Sequence, residues 1–455
     1  MNKNRITRRR FVGRAGAALA APYVVPSSAL GLDGAVSPSS RITMGLIGCG
    51  NHGTGWNLNQ VFRCPDAQVI AVCDVDDARC AQAKAHVEEH YSRALGKEYR
   101  GCTPYRDFRE MLARDDIDAL INATPDHWHV IPAIMAARRG KDVICEKPLT
   151  LTVAEGRVLS DTIAGTGRVF QTASENRSID SYIRICELVR NARVGKLQHI
   201  EVSLPSGNES RGDNFSQREV QPVPPGFDYD MWLGQAPWAP YCPARCHGSF
   251  RWNLDYSGGR LTDWGGHLID LAQWANDTEA TGPVRVEGTG EFPPRDALFN
   301  TATDFDIDYE YANGVTMKVA SKGPGIRFEG TDGWIGFTGW RAPPEASSTA
   351  ILESEIGEDE IHLHRPSEVV ARADGGKGGE HRNFLDCVKS RERCYAPAET
   401  GHRTATIAHI GNIAMMLGRK LKWNPDAERF VDDAEADSML TREQRGPWTL
   451  EMALQ

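Results

Sequence analysis

Three glycines, Gly48, Gly50 and Gly53, follow the apolar run ITMGLI at 42–47 with G-x-G-x-x-G spacing and lead into a helical stretch. The first permits a tight strand-to-helix turn, the second lets backbone approach a pyrophosphate, and the third lets the helix pack closely on the strand. Free N–H groups at the helix start then face the phosphates. Asp74 ends the next apolar run, 21 positions after Gly53, close to the offset of a ribose-binding carboxylate. A dinucleotide is expected, with Gly48, Gly50, Asn51, His52, Gly53 and Asp74 around it. Val75, Asp76 and Asp77 come next, and no arginine appears until Arg79. A 2′-phosphate would meet carboxylates there, which favours NAD over NADP.

At 455 residues the chain exceeds the roughly 250 to 300 that one core usually supports, so two domains are expected. A formal charge of -9 leaves no basic field for a nucleic-acid backbone, and no apolar run is long enough to span a bilayer. Thr7-Arg8-Arg9-Arg10-Phe11-Val12, followed by an alanine-rich stretch from Ala15 to Val25, resembles a twin-arginine export signal. Residues 1–40 are therefore set aside as signal and linker, and a periplasmic or equivalent location is expected. A basic disordered tail is the alternative. Cleavage after Ala18-Leu19-Ala20 and after Ser27-Ser28-Ala29 both fit. Eleven cysteines cannot all pair within one chain. Cys49, Cys73 and Cys145 lie in or beside apolar strands, where cysteine behaves as a small hydrophobe, so no disulfide framework is expected.

From 42 to about 172, short apolar strands alternate with helical stretches, the pattern of a parallel sheet covered on both faces. Strands are predicted at 42–47, 68–73, 118–122, 142–145 and 168–171, and helices near 53–62, 76–93, 106–113, 129–139 and 152–165. After Gly195 the texture changes. HIEVSLPS, DFDIDYEY, GVTMKVAS, IRFEG and WIGFTG alternate or carry β-branched and aromatic residues, with Asn313-Gly314 and Asp332-Gly333 as turns. The fold class is thus an N-terminal Rossmann-type α/β sheet, 41–172, followed by an α+β domain, 173–420, with a large, mostly antiparallel open sheet. An insertion rich in Pro, Gly, Trp and Tyr fills 205–280, helices are predicted near 380–390 and 398–418, and the tail, 421–455, is expected to pack on the surface.

Two clusters, Asn122 to His129 (NATPDHWH) and Cys145 to Thr150 (CEKPLT), sit at the carboxyl ends of predicted strands, the edge where open α/β sheets bind ligands. Lys147 is either a partly desolvated catalytic ammonium or a solvated surface charge. A third cluster, Gly258 to Asp270 (GGRLTDWGGHLID), places Asp263 and His267 four residues apart, on one face of a helix. They form an acid/base pair, or Asp263 caps the helix and His267 merely packs. Cys242-x3-Cys246-His247 and the pair His362, His364 lack further ligands at metal spacing, so no metal is expected.

Together the GCGNHG turn, T-P-D-H-W-H at 124–129, E-K-P at 146–148 and GG-x3-D-x-G-x-H-x2-D ending at Asp270 resemble the glucose-fructose oxidoreductase and inositol dehydrogenase family, Gfo/Idh/MocA. The resemblance covers nearly all of the chain after the signal and extends to an exported subgroup. It implies that Lys147, Asp263 and His267 are the catalytic set, with His267 taking a proton from a sugar or polyol hydroxyl and Lys147 stabilising the resulting oxygen. Thr124, Pro125, His127 and Glu146, together with Lys147 and Gln171, would contact the cofactor. Lys147, Asn176, Arg177, Arg251, Asp263 and His267 would line the sugar side. A homo-oligomer through the outer face of the C-terminal sheet is implied as well.

Arg251, Trp252, Tyr256 and the run Asp230 to Trp238 would suit a carbohydrate through aromatic stacking, or are core. The expected function is NAD-dependent hydride transfer to and from a carbohydrate or cyclic polyol, with the cofactor held tightly because free NAD is not expected outside the cytoplasm. One alternative is an NAD-dependent glycosidase that oxidises C3 transiently and eliminates across C2, although Thr-Asp-Trp-Gly-Gly-His stands where such enzymes carry a Tyr-Pro-Thr-His type segment. Another is a non-catalytic sugar-binding member.

Overall fold

Apolar runs too short for helices, separated by amphipathic stretches, bury both faces only when they pair side by side under helices, and 42–173 does this. A computed structural model describes residues 36–207, 215–363 and 379–455. The arginine-rich segment 7–12 and His364 lie outside the described residues. Before the first strand lies a short 3-10 turn, Pro38–Ser40. The rest, Ile42–Gln455, is one compact unit containing two sheets.

The first sheet has six parallel strands in the order β3-β2-β1-β4-β5-β6. They are β1 Ile42–Ile47, β2 Ala67–Cys73, β3 Thr103–Tyr105, β4 Ala119–Asn122, β5 Asp142–Glu146 and β6 Phe170–Ala173. The order reverses between β1 and β4, so their carboxyl ends open a crevice. β3 was not anticipated. It is three residues long, sits at the edge and contains Pro104, which weakens any strand signal.

The second sheet has nine strands, β13-β12-β11-β7-β10-β9-β8-β14-β15. Its members are β7 Leu197–Leu204, β8 Pro283–Glu291, β9 Asp304–Tyr311, β10 Thr316–Ser321, β11 Gly325–Gly330, β12 Trp334–Thr338, β13 Glu345–Ala346, β14 Leu421–Asn424 and β15 Arg429–Phe430. All neighbours are antiparallel except β7 and β10. Its inner face, including Ile200, Val202, Ile307, Tyr309, Val319 and Phe328, shares one core with the helices Asp180–Arg190, Gly265–Ala275 and Ala398–Leu417. Its outer face carries ion pairs, Lys318 to Asp308, Arg285 to Glu310 and Lys420 to Glu287.

The tail departs from a simple surface wrap. Leu421–Asn424 and Arg429–Phe430 extend the sheet, and Trp448 is buried with its ring 5.3 Å from that of Trp128. All eleven cysteines are buried and unpaired.

A buried ion pair ties the His267 helix to the first sheet. Arg177, in the turn Glu175–Ser178 after β6, donates from Nε and Nη2 to Asp270 at 2.7 and 2.8 Å and from Nη1 to Glu279 at 2.5 Å, and lies over the Trp274 ring. Its side chain is wholly buried, so Arg177 belongs to the interior and not to the sugar side of the cleft, where the resemblance placed it. Removing one partner of a buried pair leaves the other charge uncompensated, at about 3–5 kcal/mol. Arg177→Ala is therefore expected to lower the unfolding free energy measured by denaturant titration by about 3–5 kcal/mol. A variant as stable as the parent would show that Asp270 needs no partner.

Candidate active site

Gly48 starts the crevice with φ +89°, and a Cβ there would lie 2.4 Å from the Ala123 carbonyl oxygen. A Cβ on Gly53 would lie 1.9 Å from the Gly48 oxygen. Only glycine fits either place, and the turn leaves backbone open to a pyrophosphate. Gly48, Gly50, Asn51, Asp74, Thr124 and Pro125 line a groove here together with Arg79 and Arg106. The residues present thus fit a dinucleotide.

Asp74 accepts from the backbone N–H groups of Cys49 at 2.6 Å and Asp76 at 2.9 Å. Burial pushes its carboxyl up to about 6, against the pull of those N–H groups. The other carboxylates of the segment are also engaged, Asp76 capping the helix Asp77–Leu95 and Asp77 pairing with Arg106.

The insertion builds the groove's other wall with Phe227, Met231, Trp232, Cys246, His247, Phe250 and Arg251. It is fastened to the Rossmann half by Asp228 N–H to the Val75 carbonyl at 2.9 Å and Asp77 N–H to the Gly226 carbonyl at 2.9 Å. Trp128 Nε1 donates to the Trp232 carbonyl at 3.0 Å, and His127 Nε2 lies 2.9 Å from the same oxygen. His127 is buried, with burial lowering its imidazole to about 4. It fastens the insertion and does not line the groove. Trp252 and Tyr256 are fully buried and Trp232 nearly so. Trp252 and Tyr256 are core, the second of the two readings open from sequence, whereas Trp232 lines the groove and Trp238, at the end of the same run, is exposed.

The three residues that the resemblance makes catalytic come together where β5 ends. Lys147 Nζ donates to the Asp263 Oδ1 and carbonyl oxygens, both at 2.8 Å. Arg251 Nε lies 3.4 Å from Oδ1. Burial would raise the Asp263 carboxyl, but the Lys147 and Arg251 cations hold it well below the usual carboxylate range. Asp263 and His267 do not share one uninterrupted helix. Asp263 ends the helix Arg260–Asp263, and after Trp264 His267 lies in the first turn of Gly265–Ala275. No side chain caps that second helix, so the capping reading of Asp263 falls. A Cβ on Gly266 would lie 3.2 Å from Lys147 Cδ, so this glycine leaves room for the lysine stem.

His267 Nδ1 is buried with no protein partner. Burial, then the Lys147 charge, hold the imidazole well below its ordinary value despite Asp263, so it stands neutral and able to accept a proton. Glu146 accepts from Asn57 Nδ2 at 2.8 Å and pairs with His52 Nε2 at 2.9 Å. Burial opposes its ionisation, yet His52 brings it down to about 2.

Asn176 is wholly buried beneath the His267 helix. Its Nδ2 donates to the His267 carbonyl at 3.4 Å, and its Oδ1 has no protein partner. Gln171, buried in β6, likewise keeps an unpartnered Oε1 while Nε2 donates to the Thr172 carbonyl. Sequence reasoning missed Trp340, whose ring centroid lies 5.2 Å from that of His267. Among the described residues no group of three or more His, Cys, Asp or Glu is placed to hold a metal. His362 Nε2 lies 2.9 Å from the Gly357 carbonyl oxygen.

Two family models match the chain, the oxidoreductase family NAD-binding Rossmann fold over 42–174 and its C-terminal alpha/beta domain over 184–339 and 370–450. An α-N-acetylgalactosaminidase of Shewanella oneidensis is 30% identical over 179 residues, 39% of this chain and 38% of that protein. The chain thus matches well under half the length of this relative. An aldose-aldose oxidoreductase from Caulobacter crescentus has the same fold with TM-score 0.59 and 16% identity, covering 84% of this chain and 99% of that one. A levoglucosan dehydrogenase solved with NADH and L-sorbose does so with TM-score 0.58 and 17% identity, covering 84% and 99%. With the NAD-binding fold, its glycine turn and both domain models in place, the chain belongs to the Gfo/Idh/MocA oxidoreductase family.

Proposed function

We propose that this protein is an NAD-dependent oxidoreductase that moves hydride between a hydroxyl-bearing carbon of a carbohydrate or cyclic polyol and a tightly held nicotinamide. The observation that carries this is the convergence of Lys147, Asp263 and a neutral His267 at the end of β5, beside the dinucleotide groove. NAD, when bound, supplies the hydride acceptor. His267 takes the proton from the substrate hydroxyl. Lys147 Nζ donates toward the same oxygen as its charge develops, and Asp263, kept ionised, holds the ammonium in place. The insertion lines the groove opposite the glycine turn, which supports a cofactor retained through turnover.

The names of the fold neighbours, an aldose-aldose oxidoreductase and a levoglucosan dehydrogenase, support a carbohydrate substrate. A redox-neutral glycosidase is the second reading, favoured by the α-N-acetylgalactosaminidase relative. Release of an aryl leaving group with no accumulation of NADH distinguishes it. The arginine-rich segment at 7–12 supports export by the twin-arginine route. A homo-oligomer through the outer face of the nine-stranded sheet would meet a charged, ion-paired surface.

The test is to load the purified protein with NAD, add a panel of sugars and polyols, and follow the near-ultraviolet absorbance of bound NADH. Absorbance is expected to rise with at least one of them. Lys147→Ala and His267→Ala should each slow the rise by about 10²-fold or more while still binding NAD. Failure of the parent protein to bind NAD would sink the reading.

The pH profile gives a second check. An imidazole held below its ordinary value of about 6.5 stays deprotonated as pH falls past that value, so the acid limb of kcat/KM is expected well below pH 6.5. A limb at the ordinary histidine value that vanishes in His267→Ala would contradict the assigned environment.

A further inference from the structure

The carboxy-terminal tail is built against both walls of the dinucleotide groove. Residues 441–455 run back from the second sheet to the Rossmann half, and none of them lines the groove. Trp448 is buried against Trp128 and Phe108, with ring centroids 5.3 and 6.2 Å away, and the Arg109 guanidinium lies 4.8 Å from its ring. Ala453, in the closing helix Leu450–Leu454, shares a core with Ile131 and Ile134 of the helix Val130–Arg138. Phe108 and Trp128 themselves line the groove.

The wall supplied by the insertion needs support of this kind. Met231 and Trp232 reach the groove from the helix Tyr229–Leu233, whose 5 residues are too few for a helix to stand alone in water. Asp228 caps its start, accepting from the Met231 N–H at 3.0 Å. Beyond its other end, one arginine of the tail gathers the chain. Arg445 Nη1 donates to Asp230 Oδ1 at 2.6 Å, Nη2 to the Asp230 carbonyl at 2.9 Å and Nε to the Ala236 carbonyl at 3.2 Å, while its backbone N–H donates to the Gln235 carbonyl at 2.9 Å. Gln235 Nε2 in turn donates to the His127 carbonyl, so the tail, the insertion and the 124–129 segment are joined in one chain of contacts. A guanidinium serves several acceptors together because its donors form a fixed planar fork. The Asp230 side chain is 65% exposed, so the ion pair alone contributes little. The carbonyls carry the hold.

We propose that Arg445 is a positioning residue for the cofactor: by clasping the helix that bears Met231 and Trp232, it sets how slowly NAD leaves the groove. Arg445 does not line the groove, so its effect falls on cofactor dissociation through the wall it holds and not on the hydride step at Lys147 and His267. This rests on the NAD reading above and adds to it the device that retains the cofactor.

The test is to load the full protein with isotopically labelled NAD, dilute it into excess unlabelled NAD and follow release of the label. The unfolding free energy of the NAD-free protein, and kcat at saturating NAD with a turned-over sugar, are measured alongside. Arg445→Ala is expected to release NAD about tenfold faster than the parent with kcat unchanged. Arg445→Lys keeps the charge but loses the fork, and its release rate should fall between the two. Asp230→Asn should stay close to the parent. Arg419→Ala, which breaks an exposed ion pair with Asp433 and Glu435 elsewhere in the tail, should release NAD at the parental rate. Parental release from Arg445→Ala, with or without a loss of unfolding free energy, would make the arginine merely structural and overturn the proposal. If Arg445→Ala fails to fold, Arg445→Lys decides by the same criterion. A parent that binds no NAD would sink the NAD reading together with the clasp, whereas a parent that holds NAD and variants that hold it equally long would sink the clasp alone.

Discussion

The ammonium of Lys147 and the carboxylate of Asp263 lie 2.8 Å apart at the junction of the two sheets, and the surrounding structure is shaped to keep them so. Lys147 leaves the end of β5, fixed by the parallel ladder with β4 and β6. Asp263 ends a helix turn, Arg260–Asp263, within the insertion. Gly266 makes space for the lysine stem. The buried Arg177–Asp270 pair holds the following helix against the first sheet, and Asn412, on the long helix Ala398–Leu417, donates to the Gly258 carbonyl at 3.0 Å. Each contact narrows where the carboxylate can sit, which is the precondition for catalysis by positioned charges.

The electrostatics follow from that placement. With both side chains only 12–13% exposed, each ion relies on the other, and Arg251 adds a second cation near the carboxylate. The Lys147 charge in turn helps to keep His267 neutral. The proposed base is thus held deprotonated by the group proposed to stabilise the substrate oxygen. Glu146, adjacent in sequence, pairs with His52 and accepts from Asn57 Nδ2, while the lysine's own hydrogen bonds go to Asp263.

Much of this was legible in the sequence because the signals are local. The glycine turn, the five anticipated strands of the first sheet and the helices near 380 and 400 declare themselves through periodicity and through residues whose backbone needs are special. What was missed depends on distant partners. β8 carries Gly288 and Gly290, poor strand residues, yet a Cβ on Gly290 would lie 2.6 Å from Met415 Sδ on the long helix, so the packing of that helix requires the break in pattern. Arg177 follows a strand at the ligand-binding edge and reads as a cleft residue until Asp270, 93 positions on, captures it. Trp340 meets His267 only after the second sheet closes over the helix, and no spacing along the chain announces it.

The central claim is that Lys147 and Asp263 act as one unit, and a double-mutant cycle tests it most directly. The rate of bound-NAD reduction by a turned-over substrate would be measured for Lys147→Met, Asp263→Asn and the double variant. A single functional unit predicts strong non-additivity, the double variant being little slower than the worse single one. Losses that simply add in free energy would show that the two residues work independently, and a site built on their pairing would be contradicted.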